Sequence, residues 1–344
     1  MMTVDFRSDT VTKPTPGMLE AMMTAVIGDD VFDEDPTVKK LEAKIAGLFG
    51  KEAAIYCPSG TMTNQIALRI HTQPQDEVIC DKRSHIYLYE GGGIASNSLI
   101  SARLVDGDRG RLSPEHVLEN INNPDDIHLP LTRLVSLENT MNKGGGAYYT
   151  LAQIKAVSDA ARSKNLKMHL DGARIFNALV ETGDRPEDVG ELFDTVSVCF
   201  SKGLGAPVGS ALVGSHEHIK KAKRVRKVFG GGMRQAGFLA AACIYALDNH
   251  VERLKIDHQK AKALGGLIET IPYVTGLLPV DTNIVIFELD KKVLATDMVA
   301  KLKEAGILAV PFGKHEVRLV THLDIKDDMI DYFGQAVGKL KSAF

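Results

Sequence analysis

The 344-residue chain carries 41 Lys and Arg against 44 Asp and Glu, a formal charge of −3, with 44% hydrophobic and 25% charged residues. That near-neutral mixture excludes a disordered chain and argues against nucleic acid as the main partner. Four cysteines without a C-x-x-C pair exclude a disulfide scaffold or a zinc ribbon.

At about 150 residues per domain, the length predicts two domains. The opening MMTVDFRSDT has no apolar signal-peptide core. The longest nearly apolar run, 236–247, falls short of the ~20 residues that span a bilayer. A cytoplasmic protein with no membrane partner is expected.

In chain order, 36–49 places Val38, Leu41, Ile45, Leu48 and Phe49 on one helical face. Strands are expected at 53–57, 77–81, 99–105, 133–138, 167–171, 195–201 and 209–214. Several are continuous apolar runs of the kind covered on both faces. Between them, 150–164 opens at a threonine cap and carries Leu151, Ile154 and Val157 at helical spacing. This alternation predicts an α/β fold with a mostly parallel sheet flanked by helices. After about residue 235 a long helical stretch leads to strand 283–289, helix 296–305, strands 307–310 and 317–321, and a terminal helix. The expected division is a large domain, 1–250, and a smaller C-terminal α/β domain, 251–344.

The glycine triplets 91–93, 144–146 and 230–232 fit neither the P-loop nor the dinucleotide fingerprint. Three other features carry chemistry. Pro58-Ser59-Gly60-Thr61 joins a strand to a helix, where open N–H groups and the dipole favour a phosphate. In His169-Leu170-Asp171-Gly172-Ala173-Arg174, Asp171 falls at a strand's C-terminal end, where open α/β sheets bind ligands. The apolar strand at 195–201 then delivers Lys202, whose desolvated amine is suited to a Schiff base.

Each feature alone also reads as a capped loop, an Asp–Arg pair or a solvated lysine. Together they supply a phosphate anchor, a carboxylate for a pyridinium nitrogen and a Schiff-base lysine. Those are the requirements of pyridoxal phosphate. The basic stretch 220–227 reads as a solvated helix face, and His216-Glu217-His218 is too little for a metal site.

Several segments resemble the low-specificity L-threonine aldolases, which have the aspartate-aminotransferase-like fold type I. They are Asp5-Phe6-Arg7-Ser8-Asp9-Thr10-Val11-Thr12, Gly28-Asp29-Asp30-Val31, His85-Ile86-Tyr87 with Glu90, Ser136-Leu137-Glu138-Asn139-Thr140, the Asp171–Ala178 run, 201–210, 230–235 and 318–322. The resemblance covers nearly the whole chain. It implies pyridoxal 5′-phosphate as cofactor and retro-aldol cleavage of L-threonine or L-allo-threonine to glycine and acetaldehyde. A β-eliminating lyase or an aminotransferase is the alternative within that fold.

By the same resemblance, Lys202 carries the cofactor and Asp171 pairs with its ring nitrogen. Gly60 and Thr61 hold the phosphate, and His85 stacks on the ring. Arg174 serves the phenolic oxygen or the substrate carboxylate, with Ser8 and Arg318 completing the carboxylate clamp. Tyr89 and His128 line the space around the substrate β-carbon, and His85, or a water it shares with His128, takes the hydroxyl proton. Lys227 and Arg234 are implied to reach a neighbouring subunit's cofactor phosphate in a homo-oligomer, a tetramer in this family. Met141 and the loop 142–146 depart from the family pattern and are expected near the pocket mouth.

Overall fold

The computed structural model describes residues 2–340. A short strand β1 (Val4–Asp5) opens the chain. There follow β2 (Ala53–Cys57), β3 (Asp76–Asp81), β4 (Ser101–Val105), β5 (Leu131–Glu138), β6 (Lys167–Gly172), β7 (Thr195–Cys199) and β8 (Ser210–Gly214). They form one seven-stranded sheet in the order β2-β8-β7-β6-β5-β3-β4. Only β8 runs antiparallel to its neighbours, β2 and β7.

The centre of this sheet is dry because helices cover both faces. Every residue of β7 and β8 is buried, and in β6 only Lys167 is exposed. The helix Pro36–Leu48 starts where Asp35 accepts the N–H groups of Thr37 and Val38 at 3.0 Å. It buries Val38, Leu41 and Ile45 against the sheet.

Two expected strands are shorter in the fold. β4 begins at Ser101 because Leu99 adopts φ 59° at the end of a short helix. β7 ends at Cys199, which leaves Phe200, Ser201 and Lys202 in the following turn.

The second sheet is built from β9 (Val274–Leu277), β10 (Ile284–Leu289), β12 (Val310–Pro311) and β13 (Glu316–Val320), in the antiparallel order β12-β13-β10-β9. The remaining strand, β11 (Ile307–Leu308), pairs parallel with β1 instead. The single strand expected at 307–310 is therefore two, divided at Ala309. Strand β9 escapes the sequence pattern because none of its four residues is fully buried.

Pairing with β11 draws Val4 and Phe6 into the second core, beside Phe287, Leu302 and Phe333. Val4 and Phe6, which the expected division groups with the large domain, thus pack in the second core. The helix Leu254–Ile268 spans both cores, giving Leu254 to the first and Ala261, Leu264 and Ile268 to the second.

Phe6 is fully buried and meets Phe333 edge-on, 5.7 Å between centroids and 83° between planes. Phe6→Ala is expected to cost about 3–5 kcal/mol of stability, read by urea unfolding. A loss under about 1 kcal/mol would mean that the N-terminal strand contributes little to that core.

Candidate active site

The parallel strands β3, β5, β6 and β7 deliver Asp81, Glu138, Asp171 and Cys199 to one rim of the large sheet. Lys202 stands in the turn after β7, its carbonyl accepting the Gly205 N–H at 2.8 Å. The Lys202 charge is felt by Asp9, His85 and Cys199. Beside it, the helix Gly60–His71 is capped by Ser59, whose hydroxyl accepts the Met62 N–H at 3.2 Å. The N–H groups of Gly60 and Thr61 in that first turn have no acceptor among the described residues. A Cβ at Gly60 would come 2.5 Å from the Cys199 sulfur, so glycine is what lets this turn lie against β7.

Asp171 is buried and accepts two donors, Asn64 Nδ2 at 2.9 Å and the Ala173 N–H at 3.1 Å. Glu138, on the adjacent strand, accepts the backbone N–H groups of His85 at 2.7 Å and Asn142 at 2.9 Å. Burial, with the nearby Asp171 charge, pushes the Glu138 carboxyl up to about 7. His85 points its ring Nδ1 at Glu90, 2.9 Å away, and its ring lies 5.6 Å from that of Tyr89. Burial lowers the His85 imidazole, but the Glu90 hydrogen bond and the Asp171 charge outweigh it, and the net shift is upward. Tyr89 is 46% exposed at the rim.

Arg174 does not meet the site as a free fork. Its Nε and Nη2 donate to Asp9 at 2.8 and 2.7 Å, with both side chains buried, and only Nη1 lacks an acceptor among the described residues. Burial would raise the Asp9 carboxyl, but Arg174, Lys202 and Asn283 hold it well below the usual carboxylate range.

Arg318 is braced separately. Nη1 donates to Asn142 at 2.9 Å and Nη2 to the Arg7 carbonyl at 3.0 Å, while its buried Nε has no acceptor among the described residues. Its guanidinium lies 4.7 Å from the centre of the Phe312 ring. Burial and the Arg174 charge push its pKa down to about 10. Ser8 stands next to Arg7, and its hydroxyl accepts the Thr10 N–H at 3.2 Å.

The fold thus gathers Ser8, Gly60, Thr61, His85, Tyr89, Asp171, Arg174, Lys202 and Arg318 around one rim. His128 is not among them. Its side chain is 85% exposed in the loop before β5, where it lines a surface depression with Pro74, Leu99 and Ile127. The eight-residue β5, about 25 Å of strand, separates that loop from the site. The loop enters the N-terminal end of a parallel strand, whereas the site lies at the C-terminal ends.

Met141 is likewise no part of a pocket mouth. It is fully buried against Gly110 and Gly144, and it is the next residue, Asn142, that reaches the site. Lys227 and Arg234 are exposed, Arg234 pairing with Asp29 at 3.0 Å.

Sequence reasoning missed Asp9, Asn64 and Glu90 as members of the site. Asp9 and Glu90 lie inside the family-like segments, but the Asp9 partner Arg174 is 165 residues away, and Glu90, though close to His85, also meets Asn64 and Gln65, 26 and 25 residues earlier. A usable signal for Asn64 was the run Thr63-Asn64-Gln65 facing inward from an otherwise apolar helix, since all three are buried. His85, Glu90 and Asp171 bring metal-type ligand atoms within 4.8 Å of one another. Asn64 Nδ2 already serves two of them, donating to Glu90 at 2.8 Å and to Asp171 at 2.9 Å. The donor set fits a phosphorylated, aldehyde-bearing ring: an amine, a carboxylate for the ring nitrogen, and a helix turn with open N–H groups.

A family profile described as Beta-eliminating lyase matches residues 5–292. The chain is 43% identical over 329 residues to the low specificity L-threonine aldolase of Escherichia coli K12, covering 95% of this chain and 96% of that one. It is 40% identical over 338 residues to low-specificity L-threonine aldolase 1 of Arabidopsis thaliana, covering 96% and 94%. Among solved structures, the threonine aldolase of Leishmania major superposes with a TM-score of 0.84 at 22% identity, over 98% of this chain and 99% of that one. The sequence matches over nearly the full length, joined to the shared fold, place this chain in the β-eliminating lyase family, among the low-specificity L-threonine aldolases.

Proposed function

We propose that the chain is a pyridoxal 5′-phosphate enzyme that cleaves L-threonine and L-allo-threonine to glycine and acetaldehyde. One observation carries this reading. Lys202, Asp171, an open helix turn and two separately held guanidinium groups share one rim of the sheet.

Lys202 would carry the cofactor on its amine, the Gly60 and Thr61 N–H groups would hold its phosphate, and Asp171 would favour a proton on its ring nitrogen. The cofactor, when bound, supplies the sink for the electron pair released as Cα–Cβ breaks. With Nε and Nη2 bonded to Asp9, Arg174 would have Nη1 left for the phenolic oxygen or the substrate carboxylate. Arg318 is fixed by Asn142 and the Arg7 carbonyl before substrate arrives, so little ordering remains when it grips the carboxylate with Ser8. That grip fixes the direction of the Cα–Cβ bond and selects the L configuration.

With Nδ1 engaged by Glu90, His85 offers Nε2 to the β-hydroxyl proton. As that proton leaves, the C–O bond becomes the acetaldehyde carbonyl. Tyr89 closes the rim beside His85.

The proposal extends to a cytoplasmic homo-oligomer, a tetramer by family likeness, in which Lys227 and Arg234 serve a neighbouring site. In support, Phe32 and Val228 beside them are 69% and 83% exposed, an apolar surface suited to burial against another copy. No helix among the described residues is long and apolar enough to cross a membrane.

Product analysis on L-threonine decides the reaction type: acetaldehyde with glycine supports the proposal, ammonia with a keto acid points to elimination. Borohydride reduction of the loaded protein is expected to fix the cofactor on Lys202, and an adduct on another lysine would overturn that assignment. Asp171→Asn is expected to keep the fold and lose about 100-fold or more in kcat. Activity within about twofold of wild type would reduce Asp171 to a structural acceptor. Arg318→Lys is expected to raise KM for L-threonine about tenfold, because an ammonium cannot match the fork. An unchanged KM would remove Arg318 from the clamp.

A further inference from the structure

Beneath the rim, one chain of hydrogen bonds joins His85 and Asp171 to buried groups that the proposed reaction leaves without a role. Glu90 is buried and receives three side-chain donors: Asn64 Nδ2 at 2.8 Å, Gln65 Nε2 at 2.6 Å and His85 Nδ1 at 2.9 Å. Asn64 Nδ2 also donates to Asp171 at 2.9 Å. On its other side, Asn64 Oδ1 lies 3.1 Å from His169 Nε2, and His169 Nδ1 lies 3.0 Å from Thr195 Oγ1. Thr195 Oγ1 is 2.9 Å from His71 Nε2.

Only one assignment of protons satisfies every member of the chain. Two carboxylates accept and cannot donate, so the Asn64 amide must turn its NH2 toward Glu90 and Asp171. Its Oδ1 then faces His169, whose Nε2 must be the N–H. Burial pushes the His169 imidazole down to about 4, so it is neutral and its Nδ1 accepts the Thr195 hydroxyl proton. Thr195 in turn accepts from His71 Nε2. At the near end the same logic makes His85 Nδ1 the donor to Glu90, which leaves Nε2 as the one ring nitrogen open to the substrate.

We propose that Glu90 and Asn64 are positioning residues for the reaction: together they hold His85 as its Nδ1–H tautomer with Nε2 presented to the substrate, and they tie His85 to Asp171. This rests on the aldolase reading for the reaction but not for the hydrogen-bond geometry. The dyad also sets the basicity of His85. The charged groups that act on its ring are Glu90, Asp171, Glu138 and Lys202, with the Tyr89 ring 5.6 Å away. Of these only Glu90 bonds the ring directly. Its charge favours the imidazolium that forms when the β-hydroxyl proton is taken up.

The test compares wild type, Glu90→Gln, Glu90→Asp and Asn64→Ser as holoenzymes with added pyridoxal phosphate and L-threonine. In Glu90→Gln the amide oxygen still accepts Nδ1–H but carries no charge. Its kcat is expected to fall about 10–100-fold, as for other groups that orient a reactive ligand, with KM within about threefold. Removing the anion lowers the His85 pKa, so the acid limb of the kcat profile moves to lower pH. Glu90→Asp keeps the charge and is expected to return that limb to its wild-type position. Asn64→Ser is expected to lower kcat about tenfold with KM held.

In the cofactor-free protein, the ring C2 proton of His85, assigned by its absence in His85→Asn, is expected to titrate at lower pH in Glu90→Gln than in wild type. An unmoved acid limb, or an unmoved His85 titration, overturns the role of Glu90, and an unchanged kcat in Asn64→Ser overturns that of Asn64. A wild-type protein that releases no acetaldehyde defeats the reaction instead. The titration of the cofactor-free protein still decides the dyad.

Discussion

The buried pair of Asp9 and Arg174 is the constraint on which the site depends. Arg174 stands just after β6 of the large sheet, and Asp9 comes from the N-terminal segment, 165 residues earlier. Asn283, beside β10 of the second sheet, donates to the same carboxylate at 3.3 Å. One carboxylate thus gathers three parts of the chain. Removing either member of such a pair typically costs about 3–5 kcal/mol, because the survivor is left as an uncompensated buried charge. The segment is held from its other end by Phe6 in the second core. Ser8 and the Arg7 carbonyl lie between these two anchors, which is why the Arg318 guanidinium finds a fixed acceptor there.

Acids and bases crowd this rim, and their surroundings sort them. Asp9 is held ionised against burial by Arg174. Glu138 faces another carboxylate with only backbone donors and is pushed up to about 7. His85 rises because Glu90 and Asp171 outweigh its burial. Groups of similar intrinsic acidity therefore reach different protonation states within one site, and acid–base chemistry near neutral pH requires that division.

The large sheet was legible where burial is continuous. Strands β6, β7 and β8 are buried along almost their whole length and carry apolar residues at most of those positions, and the helix after Thr150 is marked by its threonine cap and the spacing of Leu151, Ile154 and Val157. The second core was less legible because its members are short and their partners remote. Nothing local in Val4–Asp5 reveals that it pairs with Ile307–Leu308. Lys202 and Asp171 were found because one follows a buried strand by a short turn and the other lies near the C-terminal end of its neighbour. Within this chain His128 lies away from the rim, since a motif gives a residue's place along the chain but not which end of a strand it borders. Asn64 and Glu90 stayed hidden because a buried polar side chain is defined by its partners, and Asn64 meets His169 and Asp171 across more than a hundred residues of sequence.

The phosphate turn poses a mechanical problem, since β2, which delivers it, is the edge of the sheet. An edge strand has unpaired backbone groups, and a binding turn at its end inherits that looseness. Here side chains close the edge. The Tyr56 N–H donates to Glu42 Oε1 at 2.8 Å, and the Tyr56 carbonyl accepts Arg226 Nη1 at 2.7 Å. Arg226 also pairs with Asp30 at 2.9 Å, so two helices and the Asp30 turn converge on one residue of the strand. The basic stretch 220–227 is solvated as its composition suggests except at Arg226, which is buried for this purpose. Tyr56 precedes Gly60 by four residues. Fixing its backbone on the open side gives the turn the rigidity that an interior strand would receive from a second neighbour.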